Sequence, residues 1–316
     1  MIQVEELTYV YKTFEKSVGF WGSLKDFWSR RYKTIAALEA IHFEIEEGEC
    51  IGLLGANGAG KTTLIKLLTG ILTPTSGTLS NQGYTPSLRQ KDYLKSIGVV
   101  LGQKSQLIWD LPAKETLEML KVIYEVPQKD YDERLGELCQ LLSVSHKLQT
   151  PVRSLSLGER MKFELICALI HSPKMLFLDE PTIGLDINSQ RTIRHFLKEI
   201  NRKEKVTILL TSHYMQDIEE TCQRVMVLSK GRLLDDLSIV DLKKKYGAPK
   251  EIVITFQSAI PDKLSLYKIS DRSIKISETS YQSLALTLDI KDIETVTKYD
   301  SPFEDIIAAL FETDRR

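Results

Sequence analysis

The chain carries no surplus of either charge: 42 lysines and arginines stand against 43 aspartates and glutamates, leaving a net charge of −1. A basic footprint for wrapping nucleic acid is absent, and no nucleic-acid partner is expected. Long apolar runs are missing too, so nothing approaches the roughly 18 residues that mark a membrane span. The start, Met1-Ile2-Gln3-Val4-Glu5-Glu6, lacks the basic region and apolar core of a signal peptide, and the expectation is a chain that stays in the cytosol. Cysteine is sparse. Cys50, Cys139, Cys167 and Cys222 are scattered without paired ligand spacing, which excludes a zinc site or disulfide frame and reads as free thiols, buried at least for Cys50 and Cys167. What remains is ordinary for a globular protein: 42% hydrophobic and 27% charged residues over 316 positions, ample for one large α/β domain and a small second one.

The most informative stretch runs from Leu53 to Thr63, Leu-Leu-Gly-Ala-Asn-Gly-Ala-Gly-Lys-Thr-Thr. It follows the apolar run Cys50–Leu54 and opens a pattern in which Leu64, Ile65, Leu67 and Leu68 share a helical face, so it joins a buried strand to a helix. Gly55, Gly58 and Gly60, with Ala56, Asn57 and Ala59 between them, let the backbone turn tightly and aim its amides inward. The helix beginning near Lys61 points its positive end at the same spot. A polyphosphate belongs there. Lys61 reaches the β- and γ-phosphates, Thr62 places its hydroxyl on a magnesium ion, and Thr63 supports an inner phosphate.

Before this loop, Ile2 to about Tyr11 and Ala40 to Ile45 read as strands. Between them Phe20, Trp21, Leu24, Phe27 and Trp28 fall at helical spacing and lead into Arg30, Arg31, Tyr32 and Lys33. This amphipathic insert, about 14–33, either packs on the domain's own sheet or touches a membrane surface or membrane partner. After the loop come a turn at Pro74–Gly77 and a short buried strand, Ile97–Leu101. A helical block of about 104–171 follows, with Leu117, Leu120, Val122 and Ile123 on one helix and Leu135, Leu138, Leu141 and Leu142 on the next. It is long for a crossover and reads as an inserted helical subdomain. Strands return at Met175–Leu178, Val206–Thr211 and Val225–Leu228, the last followed by the tight turn Ser229-Lys230-Gly231.

Several functional side chains sit where these strands end, the edge at which open α/β sheets bind ligands. Asp179 and Glu180 are adjacent and diverge, which suits two tasks. Asp179 can hold the magnesium, and Glu180 can polarise the attacking water. Gln103 can bring its amide oxygen to the same metal or water, and His213 can contact the γ-phosphate and hold the water with Glu180. His42, His146, His171 and His195 lack such a setting and read as structural or surface residues.

Ser154-Leu155-Ser156-Leu157-Gly158-Glu159-Arg160, ahead of an amphipathic helix, resembles the signature sequence of the ATP-binding-cassette (ABC) ATPases. With it, Gly55–Thr62 resembles the Walker A loop, Gln103 the Q-loop, Met175–Glu180 Walker B, Gly184-Leu185-Asp186 the D-loop and His213 the switch histidine. The resemblance covers roughly residues 1–234. It implies a P-loop NTPase (RecA-like) α/β core with an antiparallel β subdomain and an inserted helical subdomain, here 1–235. It also implies ATP and Mg2+ as ligands, with Tyr11 stacking on adenine and Tyr9 as its competitor. Further, it implies head-to-tail pairing with a second copy or a homologous ATPase subunit. Ser156 and the Gly158 amide of one chain then cap the γ-phosphate held by the other, and Glu159 and the D-loop's Asp186 count with them among the nucleotide-binding residues.

Two positions depart from the usual Leu-Ser-Gly-Gly-Gln. Leu157 replaces the first glycine, and Glu159, beside Arg160, brings a negative charge toward the nucleotide. On this basis Glu159→Gln is expected to tighten ATP-induced dimerisation. The signature, the aromatic insert and the run Gly102–Pro112 look most like bacterial exporter ATPases that serve separately encoded integral-membrane permeases. That places the chain on the cytoplasmic face of the cell membrane. The rival reading is a non-transport ABC ATPase acting on a soluble, ribosomal or nucleic-acid complex.

Residues 236–316 read as a small C-terminal α+β domain for dimerisation or regulation. Ser238 caps a helix, Ile239–Tyr246, that stops at Gly247. Strands are expected around Ile252–Phe256, Ile274–Ile276 and Leu284–Ile290. A capping box, Ser301-Pro302-Phe303-Glu304, starts a helix with Phe303, Ile306, Ile307, Leu310 and Phe311 on one face.

Overall fold

A computed structural model of the protein describes residues 1–14, 32–102, 104–247, 251–277, 280, 281, 284, 290–299 and 302–313. Most of the aromatic insert, Gln103 and Ser301 lie outside the described residues. The first part of the chain runs β1 (Ile2–Phe14), β2 (Tyr32–Ile45), β3 (Cys50–Gly55), α1 (Lys61–Leu68), β4 (Ser76–Asn81), α2 (Lys91–Ser96) and β5 (Ile97–Leu101). Helices α3 (Ala113–Tyr124), α4 (Gln128–Leu141) and α5 (Leu157–Leu169) follow. Then come β6 (Met175–Asp179), α6 (Ile187–Glu204), β7 (Thr207–Thr211), α7 (Met215–Thr221), β8 (Arg224–Ser229), β9 (Arg232–Ser238) and α8 (Ile239–Tyr246). The chain divides into two compact units, Met1–Ile239 and Val240–Arg316.

Two sheets organise the first unit. One is antiparallel, ordered β2-β1-β4; the other is ordered β5-β6-β7-β3-β8-β9 and is parallel except for β9. Strands β3, β6 and β7 are apolar without alternation because neighbours and packing cover both faces, as expected for the middle of a parallel sheet. The principal core gathers Ile2, Val4 and Leu7 of β1, Ile41 and Phe43 of β2, Leu53 of β3, Phe177 of β6 and Leu64, Ile65 and Leu68 of α1. Each such side chain contributes roughly 1.5–3 kcal/mol by leaving water. Together they clamp the loop between β3 and α1 from below.

In the first unit two strands, β4 and β9, were not expected. β4, Ser-Gly-Thr-Leu-Ser-Asn, starts where the turn at Pro74–Gly77 was read, and its polar composition hides it. The bulge opposite explains the glycine: a Cβ on Gly77 would lie 2.3 Å from the Glu6 carbonyl oxygen. β9 returns antiparallel to β8 through a two-residue turn in which Lys230 (φ 47°) and Gly231 (φ 81°) are both left-handed, the hairpin turn that suits strand twist. In α3 the buried residues are Ala113, Thr116, Leu117 and Leu120. Val122 and Ile123, which with Leu117 and Leu120 mark this helix in the sequence, are 70% and 57% exposed.

The second unit carries β10 (Glu251–Phe256), β11 (Lys268–Ser270), β12 (Ser273–Ser277) and β13 (Ile293–Tyr299) in an antiparallel sheet ordered β11-β12-β10-β13. Ile252, Ile254, Phe256, Ile274 and Ile276 alternate into its core. The strand expected at Leu284–Ile290 falls largely outside the described residues; Ile290 opens a short 3-10 turn, and the strand found is β13. Helix α9 (Phe303–Thr313) begins one residue after Pro302, and buries Phe303, Ile306, Ile307 and Leu310.

Candidate functional site

The loop from Gly55 to Thr63 leaves the end of β3 and delivers the chain into α1. Gly58 and Gly60 take φ of 80° and 110°, and a Cβ on Gly60 would sit 2.7 Å from the Ala37 carbonyl oxygen. Ala56, Asn57 and Gly58 face solvent while Ala59 is buried, its carbonyl accepting from Gly231 N at 3.1 Å. Gly60 caps α1 with no side-chain hydrogen bond, and the first turn holds no acid. The amides of that end are therefore unclaimed by side chains, and their partial positive charge faces the loop. Lys61 Nζ lies over the same hollow, donating to the carbonyls of Gly55 (2.6 Å) and Ala56 (3.2 Å). Burial of its stem lowers the lysine pKa, and the charges of Glu180 and Asp179 oppose that shift.

The end of β6 closes the site. Thr62 Oγ1 donates to Asp179 Oδ2 (2.9 Å), and Thr211 Oγ1, the last residue of β7, donates to Asp179 Oδ1 (2.7 Å). Thr211 was not singled out from sequence; its only signal is a hydroxyl ending a fully buried apolar strand. The same Thr211 Oγ1 accepts from Glu180 N (3.0 Å). Glu180 is left-handed, φ 57°, and its Oε1 stands 2.8 Å from His213 Nε2. A cavity of about 210 Å³ opens beside these groups, lined by Thr62, Lys66, Gly102, Asp179, Glu180 and Ile183 among others. Gln103, expected there, lies outside the described residues. Its neighbour Gly102 is tied to the site through a 3.1 Å hydrogen bond from its N to the Asp179 carbonyl.

Tyr11 and Tyr9 part company in the structure. The Tyr11 hydroxyl is 3.2 Å from Thr63 Oγ1, beside the phosphate loop, whereas Tyr9 packs on the principal core and meets the Tyr11 ring edge-on at 4.8 Å. Of the remaining histidines, His42, His146 and His195 are exposed. His171 stacks on Tyr124 at 3.8 Å, lies 3.0 Å from the Ile97 carbonyl through Nε2, and is driven by burial to a pKa of about 4.

Ser156, Gly158, Glu159 and Asp186 form a second cluster. Ser156 is the N-cap of α5: its Oγ accepts from Glu159 N (3.2 Å), and Glu159 Oε2 accepts from Ser156 N (2.9 Å). Glu159 Oε1 also pairs with Lys147 at 3.2 Å. The Ser156 amide, more than any other neighbour, holds its pKa below the ordinary value. Its charge is thus spent inside the chain, and the neutralising partner is Lys147; Arg160 lies instead over the Trp109 ring. Asp186 caps α6, accepting from Ser189 N (3.0 Å) and Ser189 Oγ (2.6 Å). Gly158 is pressed on this cap, since a Cβ there would lie 2.3 Å from Ser189 Oγ.

Comparison with known proteins adds identity to this geometry. Residues 38–183 match the family model described as ABC transporter. The ABC transporter ATP-binding protein NatA of Bacillus subtilis is 32% identical over 210 residues, 65% of this chain and 85% of that protein. Nod factor export ATP-binding protein I of Sinorhizobium fredii is 33% identical over 71% of this chain and 68% of its own length. Among solved structures, a dimeric ATP-binding cassette in a post-hydrolysis state with ADP and Pi superposes with a TM-score of 0.64. It covers 76% of this chain and 99% of that one, and at 23% identity it speaks for the fold alone.

Proposed function

This chain belongs to the ABC transporter family as an ATP-binding, ATP-hydrolysing subunit, and on that premise we propose that it drives export through a separately encoded membrane permease. The observation that carries the chemistry is the convergence on one phosphate loop of Lys61, the Thr62–Asp179 pair and the Glu180–His213 pair. The loop amides and Lys61 bind the phosphates of ATP, and Tyr11 stacks on the adenine. Thr62 and Asp179 are hard oxygen donors 2.9 Å apart, a set that suits Mg2+, and with Gln103 they would hold it. The ion supplies charge neutralisation for the phosphates. Glu180 orients and polarises the attacking water, and His213 holds Glu180 and the γ-phosphate in register.

The chain has one phosphate loop and one signature, so the working unit contains two such domains. Ser156 and Gly158 of one face the nucleotide of the other, with Asp186 alongside them. The exposed apolar side chains of Val122, Ile123 and Trp109, and a groove of about 450 Å³ whose lining includes Ile71, Leu94, Val99, Tyr124 and His171, offer apolar surface on which a permease could dock. Among the described residues no helix is long and apolar enough to cross a membrane. We assign the subunit to the cytoplasmic face of the membrane, held there by its permease. The C-terminal unit stabilises the dimer or regulates it.

The test is Glu180→Gln in the full chain. With MgATP it is expected to form a stable dimer by light scattering, hydrolyse at under about one hundredth of the parent rate, and retain a polytopic membrane protein in stoichiometric amount from detergent-solubilised native membranes. Parent-like turnover would overturn the role of Glu180. Stoichiometric recovery with ribosomes or soluble proteins alone would favour a non-transport ABC ATPase.

A further inference from the structure

We propose that Asp217 is a positioning residue for hydrolysis, fastening to each other the two loops that carry Glu180 and His213. It rests on the assignment of those two residues as the hydrolytic pair. Asp217 sits on α7, outside every motif read from the sequence, and is 1% exposed. Its Oδ2 accepts from Thr182 Oγ1 and from Ser212 Oγ, the latter at 2.6 Å, and its Oδ1 accepts from Arg194 Nη1 of α6 at 2.8 Å. All three donors are themselves buried. Thr182 lies two residues after Glu180, and Ser212 immediately precedes His213. Ser212 Oγ in turn accepts from Tyr214 N at 3.0 Å, so the residues on both sides of His213 lead to the same carboxylate.

The argument is one of restraint. Glu180 and His213 come from the ends of different strands, β6 and β7, and their 2.8 Å contact depends on how the two following loops lie. Glu180 also holds a left-handed backbone, which persists where its surroundings over-determine it. On one side the Glu180 amide is tied to Thr211. On the other, Thr182 is tied to Asp217, and through it to the His213 loop. An ionised carboxylate suits this hub because it is acceptor-only and meets three donors, one of them the Arg194 cation that balances its charge. Asparagine would turn a donor toward one of them. A small misplacement of a general base is costly in rate while leaving substrate binding largely intact.

The experiment uses the full chain and reads steady-state kcat and KM for MgATP. Thr182→Val removes one hydroxyl at constant shape and leaves the Asp217–Arg194 pair in place. It is expected to lower kcat at least tenfold with KM within twofold, and Thr182→Ser to recover kcat to within twofold of the parent. Ser212→Ala should act in the same direction. In a Glu180→Gln background, read by single turnover, Thr182→Val should change the residual rate less than twofold, because the pair it positions is already disabled. A folded Thr182→Val with parent kcat would overturn the proposal, as would a loss shared by KM or an undiminished loss in the Glu180→Gln background. If Glu180→Gln itself turns over at the parent rate, the hydrolytic assignment fails first. If that variant is slow while Thr182→Val is fast, only the positioning role of Asp217 fails.

Discussion

The loop that enters α1 and the loop that enters α5 finish their helix N-termini in opposite ways. At α1 the cap is Gly60, left-handed and without a side chain, and the first turn carries no acid. At α5 the cap is Ser156, joined to Glu159 in a reciprocal pair of hydrogen bonds, with Lys147 on the outer oxygen of Glu159. Both ends begin with orphan amides and a partial positive charge. The first leaves them for an anion, so its loop is completed by ligand. The second satisfies part of them internally, so its loop keeps its shape unaided; in the proposed dimer this preformed surface would face the γ-phosphate held by the partner subunit. The same helix-end electrostatics thus serve binding in one place and rigidity in the other.

The largest expected break in this contrast is Lys61→Ala. Removing the Lys61 cation from the first loop should weaken MgATP at least about 100-fold in equilibrium binding, the scale of a lost charge-assisted contact to phosphate. Next is Gly60→Ala, which asks an L-residue to hold φ 110° with its Cβ against the Ala37 carbonyl. It should destabilise by about 1–3 kcal/mol in denaturant unfolding. Ser156→Ala attacks the other loop and costs about 1 kcal/mol by loss of the cap, read as a lower midpoint in the same assay.

Glu159→Gln is the smallest and sharpens the comparison. Glutamine preserves the capping box, so near pH 7 the stability change should stay under about 0.5 kcal/mol, the loss of a half-exposed ion pair. ATP-induced dimerisation by light scattering should be unchanged, in place of the tightening expected from charge alone. The difference appears in acid. The folded pKa of Glu159 lies below its ordinary value of 4.5, so its contribution is complete above that value and is lost as pH falls through the folded pKa. The stability curve of Glu159→Gln should lack that component.

His171 offers a second titration. Its folded pKa of about 4 lies below the ordinary 6.5, so the unfolded chain binds a proton that the folded chain refuses between those values. Stability should therefore fall as pH drops from about 6.5 toward 4, with a shallower slope in His171→Phe.

The phosphate loop, the Met175–Glu180 strand and His213 were legible in the sequence because each is a local device: spacing between glycines, an apolar run, a polar residue at its end. Polar strands were not. β4 and β9 owe their existence to partners, β1 and β8, and neither shows a hydrophobic period of its own. Val122 and Ile123 mark α3 together with Leu117 and Leu120, yet apolar residues identify a helix without saying which of its sides is covered, and these two are exposed. Glu159 was read as a charge facing the nucleotide because Lys147, twelve positions earlier, announces nothing in sequence.

By itself the sequence determined the class of ligand and the chemistry around it, since a backbone loop rich in glycine and followed by lysine and threonine can do little else in a strand-to-helix turn. Tertiary structure alone decided which groups meet. Thr62 and Asp179 are 2.9 Å apart across 117 positions, and Tyr11, not Tyr9, reaches Thr63. Asp217 gathers Thr182, Arg194 and Ser212 from separate elements. The reason is physical: motif residues act through the backbone that immediately carries them, whereas hydrogen bonds between side chains on different strands form only once a core has set the distance between those strands.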